Sequence, residues 1–100
     1  MKFTIDKSEK YTVLELQEEK LDSLKAPHLK SEFVTLYQSG TKNLILNLMH
    51  VKYVDSSGLS AILIANRLLT EGGGHLVLVS VNDHVLKLLK ISKLDAVFTI

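Results

Sequence analysis

The chain has no cysteine and no tryptophan, a single proline, Pro27, and only 6% aromatic residues. Without cysteine, disulfides, thiolate catalysis and cysteine-based zinc sites are all excluded, and a reducing compartment, the cytoplasm, is the expected location. Charge of one sign is also scarce, with 12 lysines and arginines against 11 aspartates and glutamates. That balance lacks the basic excess of an electrostatic nucleic-acid or membrane binder, so the partner is expected to be a protein or a small molecule. No apolar run approaches the roughly 20 residues needed to cross a bilayer, and the N-terminus MKFTIDKSEK has no secretory core, so no membrane insertion is expected.

What remains is 100 residues, 46% of them apolar, enough for one domain with one core. Phe3 and Ile5, then Tyr11, Val13, Leu14 and Leu16, nearly alternate around a polar turn and predict an antiparallel hairpin at one sheet edge. Leu29, Phe33 and Leu36 recur at helical spacing over 26–37, with Asp22 or Ser23 as cap, Pro27 in the first turn and Gly40 as the stop. The nearly continuous run Leu44, Ile45, Leu46, Leu48 and Met49 predicts a central strand covered on both faces. A second helix starts near Ser56 or Ser57 and ends at Gly72-Gly73-Gly74, before a strand at 76–79. Asn82 or Asp83 caps a third helix with the apolar stripe Val85, Leu88 and Leu89, and Val97 to Ile100 closes as a short strand. The order ββαβαβαβ predicts an α/β domain with a mixed, mostly parallel sheet and an antiparallel strand near one edge.

The glycine triplet runs from a helix into a strand, where glycine serves as a left-handed C-cap; phosphate-cradling loops run the other way. His28, His50, His75 and His84 are scattered, with no i, i+4 pair and acidic third ligand, so no metal and no cofactor is expected. Asp55-Ser56-Ser57-Gly58 offers good N-caps, and the nucleophile-elbow pattern G-x-S-x-G is absent, so a binding domain and no enzyme is expected. At about 100° per residue, Ser60, Asn66, Arg67, Thr70 and Glu71 fall on one arc and Ala61, Ile62, Ala65, Leu68 and Leu69 on the other. Leu63 lies in the polar arc, where it could contact another protein.

The segment NLILNLMHVKYVDSSGLSAIL, Asn43 to Leu63, resembles the STAS-domain family of anti-sigma factor antagonists, supported by EKLDSLKAPHLKSEF upstream and GGGHLVLVSVNDHVLKLLKISKLDAVFTI downstream. The resemblance covers essentially the whole chain and implies a single STAS domain over 1–100. It implies that Ser57 is phosphorylated by a partner that is both anti-sigma factor and serine kinase and that binds the ATP. It implies further that the unphosphorylated form binds this partner and frees a sigma factor, and that a serine phosphatase restores the hydroxyl. Asp55, Ser56 and Gly58 complete the switch loop, with Ser56 assigned to capping and Gly58 to close approach of the partner. Asp22, Lys52, Leu59, Leu63 and Arg67 are assigned to partner binding, Lys52 and Arg67 as cations that could offset added phosphate charge.

Glu19 and Lys93 stand where the family often has glycine, and the chain stops at Ile100, where many members continue into a final helix. A missing helix is expected to weaken packing or to favour a homodimer. The alternative reading is a STAS-like subunit of a lipid-transport ABC assembly that is not phosphorylated.

Overall fold

A computed structural model describes residues 1–100. Strands β1 (Phe3–Lys7) and β2 (Thr12–Leu16) pair antiparallel with Phe3 opposite Leu16 and Lys7 opposite Thr12. Their turn is closed at Tyr11 O, which accepts from the Ser8 amide at 2.9 Å and from the Ser8 hydroxyl at 2.8 Å. β2 runs parallel to β4 (Asn43–Asn47), and β4 parallel to β6 (His75–Val79), so the sheet order is β1-β2-β4-β6. The antiparallel strand lies at one edge and β4 is central, as the pattern predicted.

Helices α1 (Ala26–Gln38) and α2 (Ser56–Glu71) are the two crossovers, and α3 (Asp83–Ile91) follows β6. Both crossovers step the sheet in the same direction, so the right-handed rule puts both helices on one face. Leu14, Leu16, Leu44, Leu46, Leu76 and Leu78 point to that face and join the helical stripes in one apolar cluster. The other face is not covered. Ile45, Asn47, Val77 and Val79 on it are only half-buried, so the expectation of a strand enclosed on both sides is corrected. An unbroken apolar run cannot report which way successive crossovers turn.

Two short strands have no counterpart in the sequence reading. β3 (Lys20–Leu21) and β5 (Tyr53–Val54) form a separate parallel ribbon, with Lys20 opposite Tyr53 and Leu21 opposite Val54. Conversely, Val97 to Ile100 is not a strand: after a 3-10 turn at Leu94–Ala96, only Thr99 bridges to Val77. Lys93, where the family often has glycine, takes a left-handed conformation at φ 61° to make that turn.

The helix ends follow local chemistry. Asn82 Oδ1 accepts from the Val85 amide at 2.8 Å and caps α3, while its Nδ2 donates to Val51 O at 2.7 Å. Gly73 carries the left-handed turn after α2 (φ 82°), and Gly74 packs directly on Lys42 O, where a side chain would not fit. α1 is preceded by Lys25 with no side-chain cap, so neither Asp22 nor Ser23 caps it as expected. The Asp22 carboxylate is instead engaged within its own turn, with the Leu24 amide.

Candidate functional site at the start of the second helix

The ribbon brings two loops side by side that lie more than thirty residues apart in sequence. Glu19 O accepts from the amides of Lys52 at 2.8 Å and Tyr53 at 3.1 Å, and Leu21 O accepts from the Asp55 amide at 3.2 Å. The chain then leaves β3 into Asp22-Ser23-Leu24 and β5 into Asp55-Ser56-Ser57.

Asp55 is the N-cap of α2, with extended backbone at φ −98°, ψ −176°. Its Oδ1 accepts from the Gly58 amide at 2.9 Å and its Oδ2 from the Ser23 amide at 3.2 Å. One carboxylate therefore caps the helix and ties the neighbouring loop to it. This corrects the capping role expected of Ser56, which is exposed in the first helical position with no hydrogen bond from its side chain. Ser57 is half-exposed in the second position, and its hydroxyl likewise has no protein partner. The first amides of a helix have no intrahelical acceptor and point outward, and the helix dipole adds to their attraction for an anion.

Gly58 is buried, and a Cβ there would lie 2.5 Å from Leu21 O and 2.9 Å from both Leu21 Cγ and Val54 Cγ1. The glycine serves the packing of helix on ribbon, an intramolecular role beside the one expected of it toward a partner. Leu59 follows it inward and is only 8% exposed, which removes it from the partner-contact set.

The remaining assigned residues are spread out. Lys52 is exposed and pairs with Glu19 at 3.7 Å. Leu63 is half-buried against the core. Arg67 is exposed but ten residues beyond Ser57, about 15 Å along the helix, too far to pair with a group on Ser57. Lys25 pairs with Glu18 at 3.0 Å, and this contact, followed by the Lys2 amide, holds the Glu18 carboxyl below its ordinary range. No three His, Cys, Asp or Glu side chains gather as a metal site, and no helix is long and apolar enough to cross a membrane.

The model of the STAS domain family matches residues 2–100. The chain belongs to the STAS-domain family. A Bordetella bronchiseptica protein named as an anti-sigma factor antagonist, BtrV, is 29% identical over 100 residues, all of this chain and 85% of that protein. The structure of a Thermotoga maritima protein described as an anti-sigma factor antagonist superposes with a TM-score of 0.86 at 27% identity, covering 98% of this chain and 84% of that one. Bacillus SpoIIAA in its phosphorylated form shares the fold, with a TM-score of 0.77 at 21% identity over 99% of this chain and 89% of that one. These likenesses agree with the small mixed-sheet domain described above.

Within this STAS domain, sequence reasoning missed Ser23, whose amide reaches Asp55, and the backbone oxygens of Glu19 and Leu21 that hold the second loop. The only sequence trace of this arrangement is the pair of short apolar-then-Asp steps, Leu21-Asp22 and Val54-Asp55, which carry no periodicity of their own.

Proposed function

We propose that this STAS domain is an anti-sigma factor antagonist switched by phosphorylation of Ser57. Unphosphorylated, it binds an anti-sigma factor that is also a serine kinase and so releases a sigma factor. The kinase uses its own bound ATP to phosphorylate Ser57, and a serine phosphatase reverses the step in the cytoplasm. The observation that carries this reading is the Ser57 hydroxyl, half-exposed and without a protein partner in the first turn of a helix whose cap, Asp55, is already fixed. The likeness to proteins named as anti-sigma factor antagonists over nearly the whole chain supports the choice of partner.

A phosphate there adds about −1.5 to −2 charges at a helix N-terminus, which tolerates negative charge, so the fold survives modification. The consequence falls on the interface. Asp55 and Asp22 lie in the two loops that the ribbon joins, and Lys25 and Lys52, which flank those loops in the chain, are already paired with Glu18 and Glu19. A phosphoserine buried against a partner would be desolvated without an internal counter-ion, at a cost well above the roughly 1.4 kcal/mol that changes affinity tenfold.

Ser57→Ala is expected to bind the kinase and resist phosphorylation, and Ser57→Asp to bind at least tenfold more weakly. Calorimetric titration of both variants checks this; equal affinities would discard the switch. Peptide mapping that put the phosphate on Ser56 would reverse the roles of the two serines.

A further inference from the structure

Leu24, between β3 and α1, is 78% exposed, more than any other large apolar side chain, with Ile91 next at 71%. Isolated exposed leucines are common and carry no meaning by themselves. Leu24 differs in its backbone. The Ser23 amide donates to Asp55 Oδ2 at 3.2 Å and the Leu24 amide to Asp22 Oδ1 at 3.1 Å, while the Lys25 and Ala26 amides both donate to Asp22 O, at 3.1 and 2.8 Å. Four successive amides are thus tied down around a side chain that points into water. The first of them is held by the same carboxylate that caps the helix bearing Ser57.

A leucine on a loose loop loses freedom when it binds, whereas one on a fixed turn has lost it already in the folded state. Two cations of the neighbouring segments are paired within the chain, Lys25 with Glu18 at 3.0 Å and Lys52 with Glu19 at 3.7 Å, and the Asp22 and Asp55 carboxylates are held by backbone amides. Leu24 is the most exposed large apolar side chain of the two loops and their ribbon, ahead of Tyr53 at 46%.

We infer that Leu24 is a specificity-determining anchor of the surface that carries Ser57, seated in an apolar socket of the anti-sigma factor kinase. This rests on the function proposed above and adds to it the chemistry of the partner's surface. Ser57 sets whether the complex forms, and Leu24 sets which kinase is accepted. Because the Asp55 carboxylate joins both turns, the socket must lie at a fixed offset from the position that receives the Ser57 hydroxyl.

The test uses the full chain and the anti-sigma factor kinase that co-purifies with it from its own cells, identified by sequence and then purified. Binding is measured by titration for wild type, Leu24→Ala, Leu24→Asp, Ile91→Ala and Ser57→Asp. Leu24→Ala should weaken binding tenfold or more and Leu24→Asp further, with Ile91→Ala within twofold of wild type. In phosphorylation kinetics Leu24→Ala should raise KM and leave kcat unchanged, and its thermal midpoint should match wild type. Leu24→Ala within twofold of wild type, or a loss equal to that of Ile91→Ala, overturns the inference while a weakened Ser57→Asp leaves the proposed switch standing. Ser57→Asp binding as tightly as wild type, or the absence of any such kinase from the purified material, overturns the underlying reading and the inference with it.

Discussion

The four-stranded sheet and the two-stranded ribbon are built on different physics. The sheet is specified by volume: fully buried leucines at alternate positions of β2, β4 and β6 fill one face against the helices. The ribbon contributes only Leu21 and Val54 to that core and is specified by a few hydrogen bonds, one missing Cβ and one carboxylate. The sheet supplies most of the stability and the ribbon most of the geometry of the Ser57 loop. Changes in the two regions should therefore separate stability from binding.

The largest expected effect is in the sheet. Leu46, 0% exposed at the centre of β4, leaves a cavity when cut to alanine, and Leu46→Ala should cost about 2–5 kcal/mol in denaturant unfolding. The fraction that remains folded should bind partner with wild-type affinity; a matching loss of affinity would show that the two regions are not separable.

Gly58→Ala comes next. Its Cβ meets the Leu21 carbonyl at 2.5 Å, so ribbon and helix must separate, at about 1–3 kcal/mol. Here affinity and phosphorylation of Ser57 should fall more than stability predicts. Near-normal phosphorylation at saturating kinase would break the distinction between the regions. Asp55→Ala removes a helix cap and the tie to Ser23, costing about 1 kcal/mol in stability. Amide exchange at Ser23 and Leu24 should quicken in this variant while exchange in β4 is unchanged, which titration by NMR at constant stability would reveal.

The smallest effect lies outside both regions. Lys93 holds φ 61°, a left-handed conformation that costs a side-chain-bearing residue about 1–2 kcal/mol, whereas glycine adopts it freely but loses more chain entropy. Lys93→Gly should stabilise by about 0.5 kcal/mol in thermal unfolding and leave binding untouched. A destabilised variant would mean that the lysine stem contributes packing of its own.

Legibility in the sequence followed the same divide. The hairpin, the three helices, the central place of β4 and the Asn82 cap were all readable, because each is announced by a period or by a capping residue at a fixed offset. The ribbon was not, since two-residue strands have no period. With it went the true neighbours of Gly58, the burial of Leu59 and the tie from the Ser23 amide to Asp55. Arg67 shared a helix face with Ser60, and the wheel that joined them is blind to the distance of Arg67 from Ser57 along the axis.

By itself the sequence determined the type and order of the larger elements, the antiparallel edge, the resemblance of D-S-S-G-L to a known family motif, and the position of Ser57 in the first turn of a helix. Those properties depend on residues close together in the chain. Only the tertiary structure decided which sheet face is covered, that Gly58 serves a contact inside the protein, and that Asp55 reaches across to Ser23. Each of these depends on where separate segments meet, which is set by crossover handedness and by backbone groups that every residue carries and no local pattern distinguishes.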